Sequence, residues 1–111
     1  MEKIQALQVG QELLDRCGFE TSAQFLVDIG LPEEGGKVYE QGANYVLSNP
    51  QGFPVEPRTA LLFKSAGHAY ERANMPEKAQ EMFKHSDNMT QSYLKGQERE
   101  RIESERIRTE I

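Results

Sequence analysis

Residues 63–86 read FKSAGHAYERANMPEKAQEMFKHS, and this stretch decides the fold. Leu61, Leu62, Phe63, Ala66, Ala69, Tyr70 and Ala73 form a broad apolar stripe along one helix. Ala79, Met82, Phe83, Ser86, Met89 and Tyr93, three or four residues apart, form a second. Between them stands Asn74-Met75-Pro76. Asn tolerates the left-handed conformation that closes a helix, Pro suits the first turn of the next, and Glu77 favours that turn's dipole. Ala66 and Gly67 on one helix, with Ala79 and Ser86 on the other, leave room for the neighbouring backbone, while Phe63, Tyr70 and Phe83 fill the remaining gaps. Residues 61–86 therefore predict a tight helical hairpin.

Working outward, good helix formers recur and strand signals are nearly absent, so five helices are expected. The first covers 2–17, with Ile4, Leu7, Val9, Leu13 and Leu14 as its apolar stripe and Gly18 as its cap. The second covers 21–29, capped by Thr21 or Ser22, with Ala23, Phe25, Leu26 and Ile29 inward. A third starts near Pro32, or at Lys37 if Gly35 and Gly36 weaken that start, and uses Val38, Tyr39, Ala43, Tyr45, Val46 and Leu47. Asn49-Pro50 stops it. The segment NPQGFPVEP, 49–57, reads as a stiff extended connection pinned by Phe53 and Val55. The fourth helix runs from Pro57 or Arg58 to Ala73, and the fifth from Pro76 into the charged end of the chain.

The 111 residues correspond to one domain, and hydrophobic residues make up 37% of them, which suits a thin helical layer with much exposed surface. A net charge of −5 argues against general nucleic-acid binding, which needs basic phosphate contacts, and against docking on an anionic membrane. With Cys17 as the single cysteine, no internal disulfide can form, which leans toward a reducing, cytoplasmic setting. No secretory signal or membrane-spanning run is seen, so the Asn88-Met89-Thr90 sequon reads as chance.

The hairpin resembles the tetratricopeptide repeat family. That family expects a large residue, a small pair, Tyr, Ala, an aromatic and a small residue, here Phe63, Ala66 with Gly67, Tyr70, Ala79, Phe83 and Ser86. The same steps resemble the helical repeats of vesicle-fusion attachment proteins. Elsewhere the echoes are partial, as in Gly10 with Leu13 and in Gly42-Ala43-Asn44-Tyr45. Helices one–two and three–four could pair with five as a cap, or four–five could be the one true repeat. The resemblance implies an all-α, right-handed antiparallel stack of about five helices with a long C-terminal helix. It also implies that the first helix of the repeat lines a groove for a partner protein or peptide. Carried onto this chain, the groove residues are Lys64, His68, Glu71 and Arg72. Lys64 stands where some members hold a peptide's terminal carboxylate, and His68 replaces the asparagine that usually accompanies it. The plain alternative is that these four are ordinary solvated residues.

No constellation for catalysis, cofactor or metal binding stands out, so no enzyme activity is expected. His68 and His85 could flank one site on adjacent helices, but no Cys or carboxylate cluster accompanies them, and they read as surface residues. Cys17 lacks a nearby histidine or CxxC partner and reads as a buried or half-buried small side chain. The loop from Gly30 to Gly36 carries Glu33 and Glu34, which a phosphate cradle would avoid. Met75, Met82 and Met89 recur at sevens, with Met82 expected in the core and Met75 in the turn.

Residues 1–96 are taken as the helical domain and 97–111 as a charged extension. Glu98 with Arg101, Glu103 with Arg106 and Glu105 with Arg108 support a solvated helix there. Ile102, Ile107 and Ile111 are too sparse for a heptad seam yet seek cover, which could make the tail a self-association element. The expected function is a protein–protein interaction module, adaptor, scaffold or chaperone-like subunit. The alternative is a structural homo-oligomer joined through the C-terminal helix and the open ends of the stack.

Overall fold

A computed structural model describes residues 2–49 and 55–110, with side chains as far as 106. The expected anchor Phe53, and the side chains of Ile107 and Ile111, lie outside the described residues. Five helices follow one another: α1 Lys3–Cys17, α2 Phe19–Asp28, α3 Pro32–Ser48, α4 Glu56–Arg72 and α5 Pro76–Glu110. No strand occurs among the described residues, and each helix packs chiefly on the ones before and after it. The fold is all-α, an ordered stack of neighbouring helices with a long last member.

The hairpin turn forms as its residues dictate. Asn74 takes φ 59°, Met75 N–H returns to Tyr70 O at 2.9 Å, and Pro76 opens α5. Antiparallel α4 and α5 then close on a core that includes Leu62, Phe63, Ala66, Ala69, Tyr70, Ala79 and Met82. The small residue Gly67 meets a ring rather than backbone, because a Cβ there would stand 2.6 Å from Phe83 Cε1.

Buried hydroxyls stitch successive helices. Ser22 Oγ donates to Gly10 O at 2.6 Å between α2 and α1. Tyr39 donates to Gln24 Oε1 at 2.7 Å between α3 and α2, and Tyr70 to Glu40 Oε2 at 2.9 Å between α4 and α3. Ser86 Oγ donates to Ala60 O at 2.8 Å between α5 and α4. Each satisfies a polar group that would otherwise be costly inside the stack.

Several elements depart from expectation. α2 starts at Phe19 rather than Thr21, because Gly18, at φ 96°, ends α1 with its N–H on Leu13 and Leu14 carbonyls while its own carbonyl accepts from Ser22 N. Ser22 is therefore a buried stitch, not a cap. α3 starts at Pro32 and carries Gly35 and Gly36 inside it. A Cβ at Gly35 would lie 2.5 Å from Val27 Cγ2, and one at Gly36 2.9 Å from Tyr70 Cε1, so close approach between helices keeps these glycines. On α1 the buried face is Ala6 and Gly10; Ile4 and Leu7 point outward, since among the described helices α1 packs chiefly on α2. Ile29, Tyr45, Leu47 and Leu61 are likewise exposed. Cys17 is exposed too, in the last turn of α1, and neither buried nor half-buried.

α5 passes through Gly96 without a break. At 35 residues it is about 52 Å long. Its first half packs on α4, and beyond Tyr93 every described side chain is exposed. This projection stretches the molecule to 67 × 31 × 19 Å.

Candidate functional site

The outward face of α4 sets out Pro57, Leu61, Lys64, His68, Glu71 and Arg72 at steps of three and four. All but Pro57 are exposed. The four residues expected at a partner site thus form a ridge, with a recess on each side of it.

Toward α2 lies a depression of about 210 Å³ lined by Gln24, Val27, Tyr39, Ser65, His68, Ala69 and Arg72. Its two banks differ in charge. α2 presents Glu20, Gln24 and Asp28, four residues apart, and α4 presents His68 and Arg72. The banks meet at one end, where Arg58 Nε lies 3.8 Å from Glu20 Oε1. Gln24 bridges the acidic bank to the floor, donating to Asp28 Oδ1 at 2.7 Å while accepting from Tyr39. Burial, and then the charges of Glu20 and Asp28, push the Tyr39 phenol above its ordinary pKa, so it stays a neutral donor.

Toward α5 lies a larger groove of about 390 Å³, lined by Pro57, Ala60, Leu61, Lys64, Phe83, Ser86, Asp87, Thr90 and Tyr93. Lys64 belongs to this side. Glu71 enters neither recess; its Oε1 sits 3.1 Å from His68 Nδ1, and the imidazole edge rests on Phe83 with centroids 5.1 Å apart. The structure therefore places His68 and Arg72 together, Lys64 across the ridge, and Glu71 as the partner of His68. Neither Lys64 nor Arg72 has an ion-pair partner among the described residues, although the whole chain is acidic.

The two histidines do not gather at one centre. His85 packs its ring on Phe63, centroids 5.1 Å apart, with Nε2 3.8 Å from Glu81. No group of three or more His, Cys, Asp or Glu side chains suited to a metal occurs among the described residues. Nor is any described helix long and apolar enough to cross a membrane. Met82 is buried, while Met75 and Met89 pack partly on the core.

Two features escaped the sequence reading. One is a polar knot behind the ridge. Tyr70 bonds Glu40, Lys78 Nζ approaches the same oxygen at 3.7 Å, and that ammonium sits 5.6 Å from the Tyr70 ring centroid. Burial first, then the bond to Glu40, push the Tyr70 phenol well above its ordinary pKa. The other is the α5 wall of the larger groove. Beside Phe83 it carries the polar Asp87 and Thr90, which hydrophobic periodicity does not reveal. Set against family models, curated proteins and solved structures, this chain matches none of them.

Proposed function

We propose that the protein is a binding module of tetratricopeptide type, acting through docking rather than catalysis, and that it takes a peptide or helix of a partner protein along the α4 ridge. One observation carries this reading. Lys64 and Arg72 stand unpaired among the described residues on an exposed ridge, and beside Arg72 a recess opens whose α2 side is Gln24 and Val27, with Glu20 and Asp28 one helical turn to either side of Gln24. A segment bearing both signs of charge would be held in register by two such banks, with apolar side chains over Val27 and Ala69. The resemblance of the α4–α5 hairpin to a repeat whose first helix lines a binding groove supports the same face. A lone exposed thiol suits a reducing, cytoplasmic compartment.

The test is capture of partners from the source cell by the native chain and by Lys64→Glu with Arg72→Glu, followed by mass spectrometry. Both sites are exposed, so helicity should hold while specific capture falls at least tenfold. Equal capture by both chains would refute the ridge as a binding face. A second reading, a structural homo-oligomer, is favoured by Leu94 and Ile102, each 54% exposed on a stretch of α5 that no other described element covers.

A further inference from the structure

The groove between α4 and α5 and the free half of α5 are two parts of one surface. On the groove side, α5 contributes Phe83, Asp87 and Thr90. Continuing at steps of four and three, the same stripe passes through Leu94, Gln97, Arg101 and Ser104. α4 flanks the first half of this stripe. No other described element flanks the second, where Leu94, Gln97, Arg101 and Ser104 lie open together. Because α5 is one unbroken helix, its free half cannot turn back onto its own groove.

The geometry points to an antiparallel pairing of two copies of this chain through α5, in which the free half of each lies in the α4–α5 groove of the other. It deepens the homo-oligomer reading and rests on it. A two-fold contact requires a self-complementary patch, so that each residue meets its counterpart in reverse order. Centring the antiparallel pair on Leu94 does this. Leu94 meets the partner subunit's Leu94, two exposed leucines that cover each other. Asp87, seven residues before the centre, meets the partner subunit's Arg101, seven residues after it. The same pairing brings the partner subunit's Ser104, ten residues after the centre, to the level of position 84 beside Phe83, where a small side chain permits close approach. It brings the partner subunit's Glu100 toward Lys64 on the α4 rim.

Charge complementarity also selects the direction. In a parallel pairing Asp87 would face the partner subunit's Asp87 and Arg101 the partner subunit's Arg101, and like charges across a contact oppose association. The apolar groove floor offers what such a helix would cover, with Leu61 65% exposed beside Ala60, Phe83 and Tyr93.

Sedimentation velocity over a wide concentration range tests the pairing. The native chain is expected to move from a 12.6 kDa species toward twice that mass, more weakly at high salt. Leu94→Asp should raise the dimer dissociation constant at least tenfold with helicity unchanged. Asp87→Arg alone and Arg101→Asp alone should each weaken association, and the double variant Asp87→Arg with Arg101→Asp should restore it. Restoration supports the antiparallel register directly. A chain that stays monomeric at high concentration overturns both the pairing and the oligomer reading. A dimer indifferent to Leu94→Asp, or one that the double reversal does not rescue, overturns the pairing while leaving self-association through another face.

Discussion

Replacing Gly35 by Ala should destabilise the protein, although alanine is the better helix former. Gly35 lies inside α3 with Gly35 N bonded to Leu31 O at 3.0 Å, so its backbone is helical. By propensity alone the substitution would add about 1 kcal/mol. The new Cβ, however, would stand 2.5 Å from Val27 Cγ2, 2.8 Å from Ala23 O and 3.2 Å from Val27 N. Ordinary carbon–carbon contact lies at about 3.5–4.0 Å, so the overlap is about 1 Å and two of the three atoms are backbone. Rotating Val27 relieves only one of them; the other two require α2 to move away from α3. Overpacking of this kind costs about 1–3 kcal/mol, more than the propensity gain. The net expectation is a loss of about 1 kcal/mol, read as a lower urea midpoint with an unchanged slope. Gly96→Ala supplies the control, since nothing lies within 4 Å of its Cβ and the same propensity gain should appear there as higher helicity. Equal or greater stability for Gly35→Ala would refute the close approach of α2 and α3 described above.

Other expectations are more local. Thr59 is fully buried and its Oγ1 finds no hydrogen-bond partner among the described residues, so Thr59→Val should be neutral or stabilising by up to about 1 kcal/mol in the same denaturation assay. Ser86→Ala orphans the bond to Ala60 O and should cost about 1–2 kcal/mol. Burial raises the Tyr39 and Tyr70 phenols above the ordinary tyrosine value of about 10, so their stabilising effect is complete below that pH and lost as pH rises through the folded values. Thermal midpoints should therefore fall in the alkaline range, and Tyr70→Phe should flatten that fall while lowering stability near neutrality.

Much of the fold could be read from residue types whose effect is local. Asn74, Pro76 and Gly18 act on their own backbone; the turn of the α4–α5 hairpin follows from the first two and the end of α1 from the third. What failed depends on neighbours distant in sequence. Gly35 and Gly36 look like helix breakers until Val27 and Tyr70 are seen pressed against them. Ile4 and Leu7 form a reasonable inward stripe on α1, but a helix that packs chiefly on one described neighbour has only a narrow face to bury, and Ala6 and Gly10 fill it. At the candidate site, the repeat resemblance pointed to Lys64, His68, Glu71 and Arg72, which stand three and four residues apart along α4 and are all exposed. That spacing carries no information about α2 and α5, which divide the ridge between two recesses and decide that Lys64 and Arg72 look to opposite sides.

The hydroxyl stitches have a consequence for how the molecule comes apart. Each joins only adjacent helices, so the stack behaves as a zipper with one catch per interface. Opening from α1 releases the Ser22 catch and leaves the Tyr39, Tyr70 and Ser86 catches shut. An end helix can thus be shed, exchanged or added without disturbing the order of the rest. Slow amide exchange should accordingly peak at α3 and the core half of α4 and decline stepwise toward α1, a gradient along the stack rather than a single all-or-none event.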